Sequence, residues 1–274
     1  MSTDNKIADI IKSATLIERQ EQRAVFVSFA LVFVLMAAYY MLRLVRDSMA
    51  SDWTNTEISV LWNIQFFLSL MFVAIYGVAV SKIEFRHLVP AVYGFFALSF
   101  VSFHFGGTLV EDPVLLDKGF YLWVSLFSLF HVSVFWSLMA DLYNKEQSKR
   151  LFGFIAVGAS AGAIVGPIVA TVAAQTIGSA SLMLTASLMM LIPLPIVFYL
   201  QFLKRTELHN DQINVDLSHM KIGGNPLAGF RDFFTSPYLI GIAAFILLYT
   251  AISSFTYFEQ TNLLREYDRD QRTQ

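Results

Sequence analysis

The chain has 274 residues, of which 56% are hydrophobic and only 15% charged, with 26 Phe, a composition too apolar for a water-soluble domain of this size. A net charge of -2, with no basic run interleaved with aromatics, argues against nucleic acid as a partner, and the absence of Cys excludes disulfides, a thiol nucleophile and Cys-ligated zinc or iron-sulfur centres. An all-α integral membrane protein, in contact with a lipid bilayer and with no resident cofactor, is the expectation.

Residues 1–23 contain Lys6, Lys12, Arg19 and Arg23 but are too long and polar for the basic region of a signal peptide and show no small-residue cleavage site. They read as a cytosolic tail. Ile7, Ile10, Ile11, Ala14 and Ile17 recur at helical spacing, which suits either a surface-lying amphipathic helix or a mobile tail.

A bilayer core about 30 Å thick needs roughly 20 apolar residues per helix. Charge-poor stretches of that length predict seven spans, at about 24–45, 58–81, 88–110, 119–140, 151–174, 178–203 and 237–258. The run 151–203 lacks any Asp, Glu, Lys or Arg and is too long for one crossing, so "QTIGSAS" is expected to supply a turn. Positive residues mark the cytosolic side. The tail, Lys82 with Arg86, Lys145 with Lys149 and Arg150, and Lys204, Arg205, Lys221 and Arg231 fall in alternate connections. The intervening connections carry Asp47, Asp52 and Glu57, then Glu111, Asp112, Asp117 and Lys118, then no charge. The amino terminus is therefore expected in the cytosol, and the membrane to be the bacterial inner membrane.

This gives a six-helix bundle over 24–203, a cytosolic linker over 204–236, a seventh helix at 237–258 and a polar extracytosolic ending at 259–274. Within the linker, "NPLAGFRDFF" predicts a short amphipathic helix, with Pro226 in its first turn and Leu227, Phe230, Phe233 and Phe234 on one side. Six helices, a long inner linker and a restart is the layout of the first half of a two-bundle transporter.

The first span ends in "AYYMLRLVRDSMA". Arg43 shares a helical face with Tyr39 at i-4 and Asp47 at i+4, the latter a possible ion partner. Arg46 and Asp47 suit either a pore-facing role or side chains reaching the interface with their stems in lipid. An Arg in a polar cavity binds phosphate or carboxylate through two hydrogen bonds, which points to an anionic cargo. In the fifth span Gly158, Gly162 and Gly166 recur every four residues before Pro167, allowing another helix to approach closely, whether for packing alone or for a sliding contact. Pro193 and Pro195 are expected to kink the sixth span. His104 and His131 lack metal-ligand spacing and read as hydrogen-bonded bundle histidines. Asp141, Lys149 and Arg150 flank the fourth connection as solvated charges or as an inner salt-bridge gate. There is no "GxxxxGK", "HExxH" or "GxSxG", so neither an ATP-driven pump nor a familiar hydrolase is indicated, and no enzyme activity is expected.

At "YYMLRLVRDS" and "FWSLMADLYNKEQSKRLFG" the chain resembles the ATP/ADP translocase family of plastids and intracellular bacteria, together with its bacterial major-facilitator-like relatives. Tyr39, Leu42, Arg43, Arg46 and Asp47 match that family's first-helix ending, with Arg46 in place of the usual Lys. Phe135, Trp136, Glu146, Lys149 and Arg150 match its fourth helix and following loop, and Glu259 in "YFEQTNLLRE" matches a Glu near the end of the seventh helix. Val124 stands where the family tends to carry an acid. The resemblance implies a major-facilitator-like transporter of twelve helices, of which this chain would be a fragment whose C-terminal half is its missing partner. It implies exchange of nucleotides or similar phosphorylated organic anions by alternating access, with Tyr39, Arg43, Arg46, Asp47 and Glu259 binding cargo. Asp141, Glu146, Lys149, Arg150 and the three glycines would serve gating or packing. A transporter-like anion sensor or non-transporting subunit shares every one of these motifs. A seven-helix receptor fits the span count, but the seventh helix has no Lys for a retinal Schiff base and the amino terminus reads as cytosolic.

Overall fold

The computed structural model describes residues 17–51, 53–109, 113–208 and 233–273. The isoleucine pattern before Ile17, Asp52, Glu111, Asp112 and most of the "NPLAGFRDFF" segment lie outside the described residues. The main helices are α1 (Gln22–Ala50), α2 (Asn55–Lys82), α3 (Phe85–Leu109), α4 (Pro113–Leu142), α5 (Lys145–Met189), α6 (Pro193–Thr206) and α7 (Pro237–Thr273). Seven stretches are long and apolar enough to cross a membrane, at Gln22–Ala50, Asn55–Val80, Phe85–Gly107, Val114–Leu142, Lys145–Thr176, Ser181–Thr206 and Pro237–Glu259. The expected all-helical membrane architecture is thus observed. The chain divides into two compact units, Met1–Gly223 with α1 to α6 and Gly224–Gln274 with α7.

Side chains set the helix starts. Thr54 accepts from the Glu57 backbone N–H at 3.3 Å, while the Glu57 carboxylate accepts from the Thr54 N–H at 2.9 Å. Asn144 and Gln147 repeat this reciprocal cap at the start of α5. Backbone donors at these helix starts are thereby bonded within the chain.

A straight helix of the 45 residues of α5 would run about 68 Å. Yet Arg150, near its start, bonds Glu21 at 2.8 Å, and Glu207, just past α6, bonds Arg23 at 2.8 Å. Both ends of this path meet the same end of α1, so the chain reverses between the crossings Lys145–Thr176 and Ser181–Thr206. The turn expected at "QTIGSAS" is spanned by helical backbone instead of an open loop. Helical geometry there bonds the backbone groups within the chain. The sixth crossing breaks at Met190–Ile192, where Pro193 and Pro195 offer no N–H to the carbonyls of Met189 and Leu191. Those carbonyls accept from Ile192 and Leu194 instead, both at 3.1 Å, in the tighter i to i+3 pattern. The kink leaves neither carbonyl orphaned. In the second unit α7 continues through "REYDRDQRT" to Thr273, beyond the apolar stretch, as expected for residues mostly of good helix propensity.

Lipid removes most of the hydrophobic drive for helix association, so close backbone approach must supply it. The most extensive contact in the first unit is between α1 and α5. A methyl group placed on Gly158 would lie 2.7 Å from the Phe29 carbonyl oxygen, and one on Gly166 would lie 2.6 Å from that of Ala37. On Gly162 it would collide with the carbonyl of Phe33. Only glycine fits at these three positions. Around this seam lie two apolar layers, one including Leu31, Leu35, Tyr93, Phe135, Leu151 and Leu200, the other Leu42, Phe96, Phe100, Phe120, Phe127 and Met183.

At the end formed by the α4–α5 connection, ion pairs tie the helices together. Lys204 donates to Asp141 at 3.0 Å with side chains only 6% and 11% exposed. Arg150 grips both carboxylate oxygens of the buried Glu21, at 2.8 and 3.2 Å. The buried Tyr143 hydroxyl shares a 3.0 Å hydrogen bond with Ser28, and burial pushes its pKa up.

Gly162→Ala is expected to lower unfolding stability by about 1–3 kcal/mol through overpacking, whereas Gly153→Ala, with nothing within 4 Å of the added carbon, should leave it nearly unchanged; thermal unfolding in detergent compares them. Asp141→Leu or Lys204→Met alone should cost about 3–5 kcal/mol, and the double variant much less than the sum, because only the single changes strand a buried charge.

Candidate functional site

The glycine seam sets the rotation of α1. Phe29, Phe33 and Ala37 face α5, and at 100° per residue Arg43 projects about 120° round the helix from Ala37, the seam residue nearest to it along α1. Tyr39, Arg43 and Asp47 fall one turn apart on this side, and α4 supplies the neighbouring surface.

The two arginines are held differently. Arg46 is the enclosed one, with its side chain 13% exposed against 40% for Arg43. Its Nε and Nη2 donate to Asp47 Oδ1 at 2.9 and 2.6 Å, and its Nη1 donates to Ser125 Oγ at 3.1 Å. Ser125 passes its own proton to the Tyr121 carbonyl at 2.8 Å, and the Arg46 guanidinium lies 5.0 Å over the Tyr121 ring. Tyr121 in turn accepts from Trp62 Nε1 at 2.9 Å. Arg46 is therefore built into a junction of α1, α2 and α4.

Arg43 touches the other carboxylate oxygen of Asp47 through Nε at 3.4 Å and lies 5.6 Å from the Tyr40 ring centre. Neither of its Nη nitrogens makes a hydrogen bond among the described residues. Two guanidinium groups against one carboxylate leave a single excess positive charge here. An oriented guanidinium with an open pair of N–H groups matches the two oxygens of a phosphate or carboxylate.

Tyr39, one turn before Arg43, stacks on the imidazole of His131 at 4.5 Å. His131 is 2% exposed, and its Nδ1 lies 3.1 Å from the Phe127 carbonyl oxygen. The expectation of a hydrogen-bonded bundle histidine holds for Nδ1 and fails for Nε2, which is buried without a hydrogen-bond partner. His104 sits in ring contact with Phe105. Among the described residues no three metal-ligating side chains cluster.

Of the remaining sequence candidates, Asp141 and Arg150 form the interhelical ion pairs already described, with Glu146 and Lys149 exposed in the opening turns of α5. Gly158, Gly162 and Gly166 form the α1–α5 seam. Val124 is fully buried in an apolar layer, and Trp136 packs on Phe152 at 5.2 Å. Glu259 belongs to the second unit, on α7. Sequence reasoning missed Tyr121, Ser125 and Trp62. The four-residue spacing of Tyr121 and Ser125 on one face of α4 was the available signal, but only the fold brings that face to Arg46.

A family model described as the Major Facilitator Superfamily matches residues 24–265. Comparisons with curated proteins and with solved structures find no match. Seven apolar crossings and a family match spanning most of the chain converge on an integral membrane secondary transporter for a small substrate: the chain belongs to the Major Facilitator Superfamily.

Proposed function

We propose that this transporter exchanges nucleotides or similar phosphorylated organic anions by alternating access, with its amino terminus on the cytosolic side of a bacterial inner membrane. The observation that carries the reading is Arg43, whose Nε is oriented by Asp47 at 3.4 Å while its Nη pair stays open. Arg43 takes the phosphoryl group, Asp47 aims it, and Tyr39 and Tyr40 flank the bound anion. Arg46 is largely consumed by Asp47 and Ser125, so it contributes charge and alignment more than a free donor edge. The resemblance at "YYMLRLVRDS" supports the same cargo class. Orientation follows from the basic connections, which alternate along the chain.

Cells expressing the full-length gene are expected to take up labelled ATP, ADP or another organic phosphate, and internal unlabelled phosphate ester should accelerate that uptake. No uptake of any of them, with the protein verified in the membrane, would discard the cargo class. Arg43→Lys should weaken apparent affinity by about tenfold or more, because a point charge replaces a two-pronged donor worth about 1.5–3 kcal/mol. The same measurement on Arg46→Lys should show a smaller loss of affinity, since this side chain acts through Asp47.

A further inference from the structure

The transport reading leaves His131 without a role. Its Nδ1 faces a carbonyl oxygen, which can only accept, so Nδ1 carries the proton and Nε2 presents a bare lone pair. That lone pair is buried in the bundle and unpartnered among the described residues. A buried polar atom left unbonded is costly, and such exceptions call for an explanation. Its position supplies one. The imidazole stacks on Phe127 at 4.9 Å and on Tyr39 at 4.5 Å, and Tyr39 shares a face with Arg43 one turn away.

We propose that His131 is a proton-binding site of the transport cycle, coupling anion exchange to proton movement. When a step of the cycle brings water to the ring edge, a proton passes from a hydronium ion to Nε2, giving an imidazolium whose Nδ1–H remains on the Phe127 carbonyl. Release to water on the opposite side restores the lone pair. One proton carried with the more highly charged of two phosphorylated anions makes an exchange between anions differing by one charge electroneutral.

The groups that bear on this imidazole come from each helix packed against α4. From α1 it meets Tyr39, with Arg43 and Asp47 one and two turns further along. From α3 the Tyr93 hydroxyl donates to the His131 backbone carbonyl at 3.2 Å. From α2 Tyr76 packs on the adjacent Phe130 at 5.4 Å. From α6 Lys204 is held by Asp141, about 15 Å along α4 from His131. Among these, the acids are already paired to cations, whereas Nε2 is open.

The inference rests on the anionic-cargo reading, and one experiment separates the two. Full-length protein in phosphatidylethanolamine and phosphatidylglycerol vesicles, loaded with ADP and a pH-sensitive dye, is given labelled ATP outside. Proton coupling requires internal acidification that tracks ATP uptake, and one unit of acid-outside gradient should raise ATP accumulation about tenfold. His131→Asn, whose amide keeps a donor for the Phe127 carbonyl, and His131→Gln should lose both signals while ATP still protects them against thermal unfolding. ATP uptake without acidification or gradient response, or an intact response in both variants, overturns the proton site and leaves the anion reading standing. Absence of acidification and of gradient response in the wild type overturns the proton site even if neither variant folds. Failure to move ATP or any other organic phosphate overturns cargo and coupling together.

Discussion

Contact between α1 and α5 through three glycines is the constraint on which the first unit depends. Lipid solvates apolar side chains as well as protein does, so the association must come from dispersion at short range. With Cβ atoms absent at Gly158, Gly162 and Gly166, the α5 backbone sits against the carbonyls of α1. That proximity fixes the rotation of α1 about its axis, and the rotation decides where every charged side chain at its far end projects. Arg43 and Tyr39 are displayed away from the seam because Phe29, Phe33 and Ala37 are committed to it.

The bundle then handles its charges in two ways. Asp141, Glu21 and Asp47 each carry a cation partner, and Asp141 with Lys204 is the most enclosed pair. Such pairs are weak sources of stability but severe liabilities when broken, which makes them markers of register between helices. Two groups are treated otherwise: Arg43 keeps an open nitrogen edge and His131 keeps an open lone pair. Both lie along one side of α1, separated by the ring of Tyr39. Arg43 and His131 therefore set two groups of distinct chemistry within one turn of Tyr39.

Much of this architecture could be read from residue order. Crossing number follows from the thickness of a bilayer and the absence of charge over some 20 residues, and the Gly158, Gly162 and Gly166 spacing announces a close approach on its own. What the chain could not announce was the partner. Phe29, Phe33 and Ala37 are ordinary membrane residues whose role exists only once α5 is beside them. Spacing set Arg43 on the face of Tyr39 and Asp47 but left Arg46 open between pore and interface, and its enclosure comes from Ser125 and Tyr121, nearly eighty residues later. The helical backbone across "QTIGSAS" escaped notice because Gly and Ser are strong turn signals, and local residue type does not show that helical hydrogen bonding continues through them.

The pair formed by Asp141 and Lys204 also bears on how the protein is made. The two residues are separated by 63 positions in the chain. At about 5–20 residues per second, the ribosome delivers the lysine several seconds after the aspartate. During that interval the carboxylate of the fourth crossing lacks this ammonium, and arrival of the sixth crossing supplies it. The bond is thus a timestamp on assembly, formed when the first bundle becomes complete.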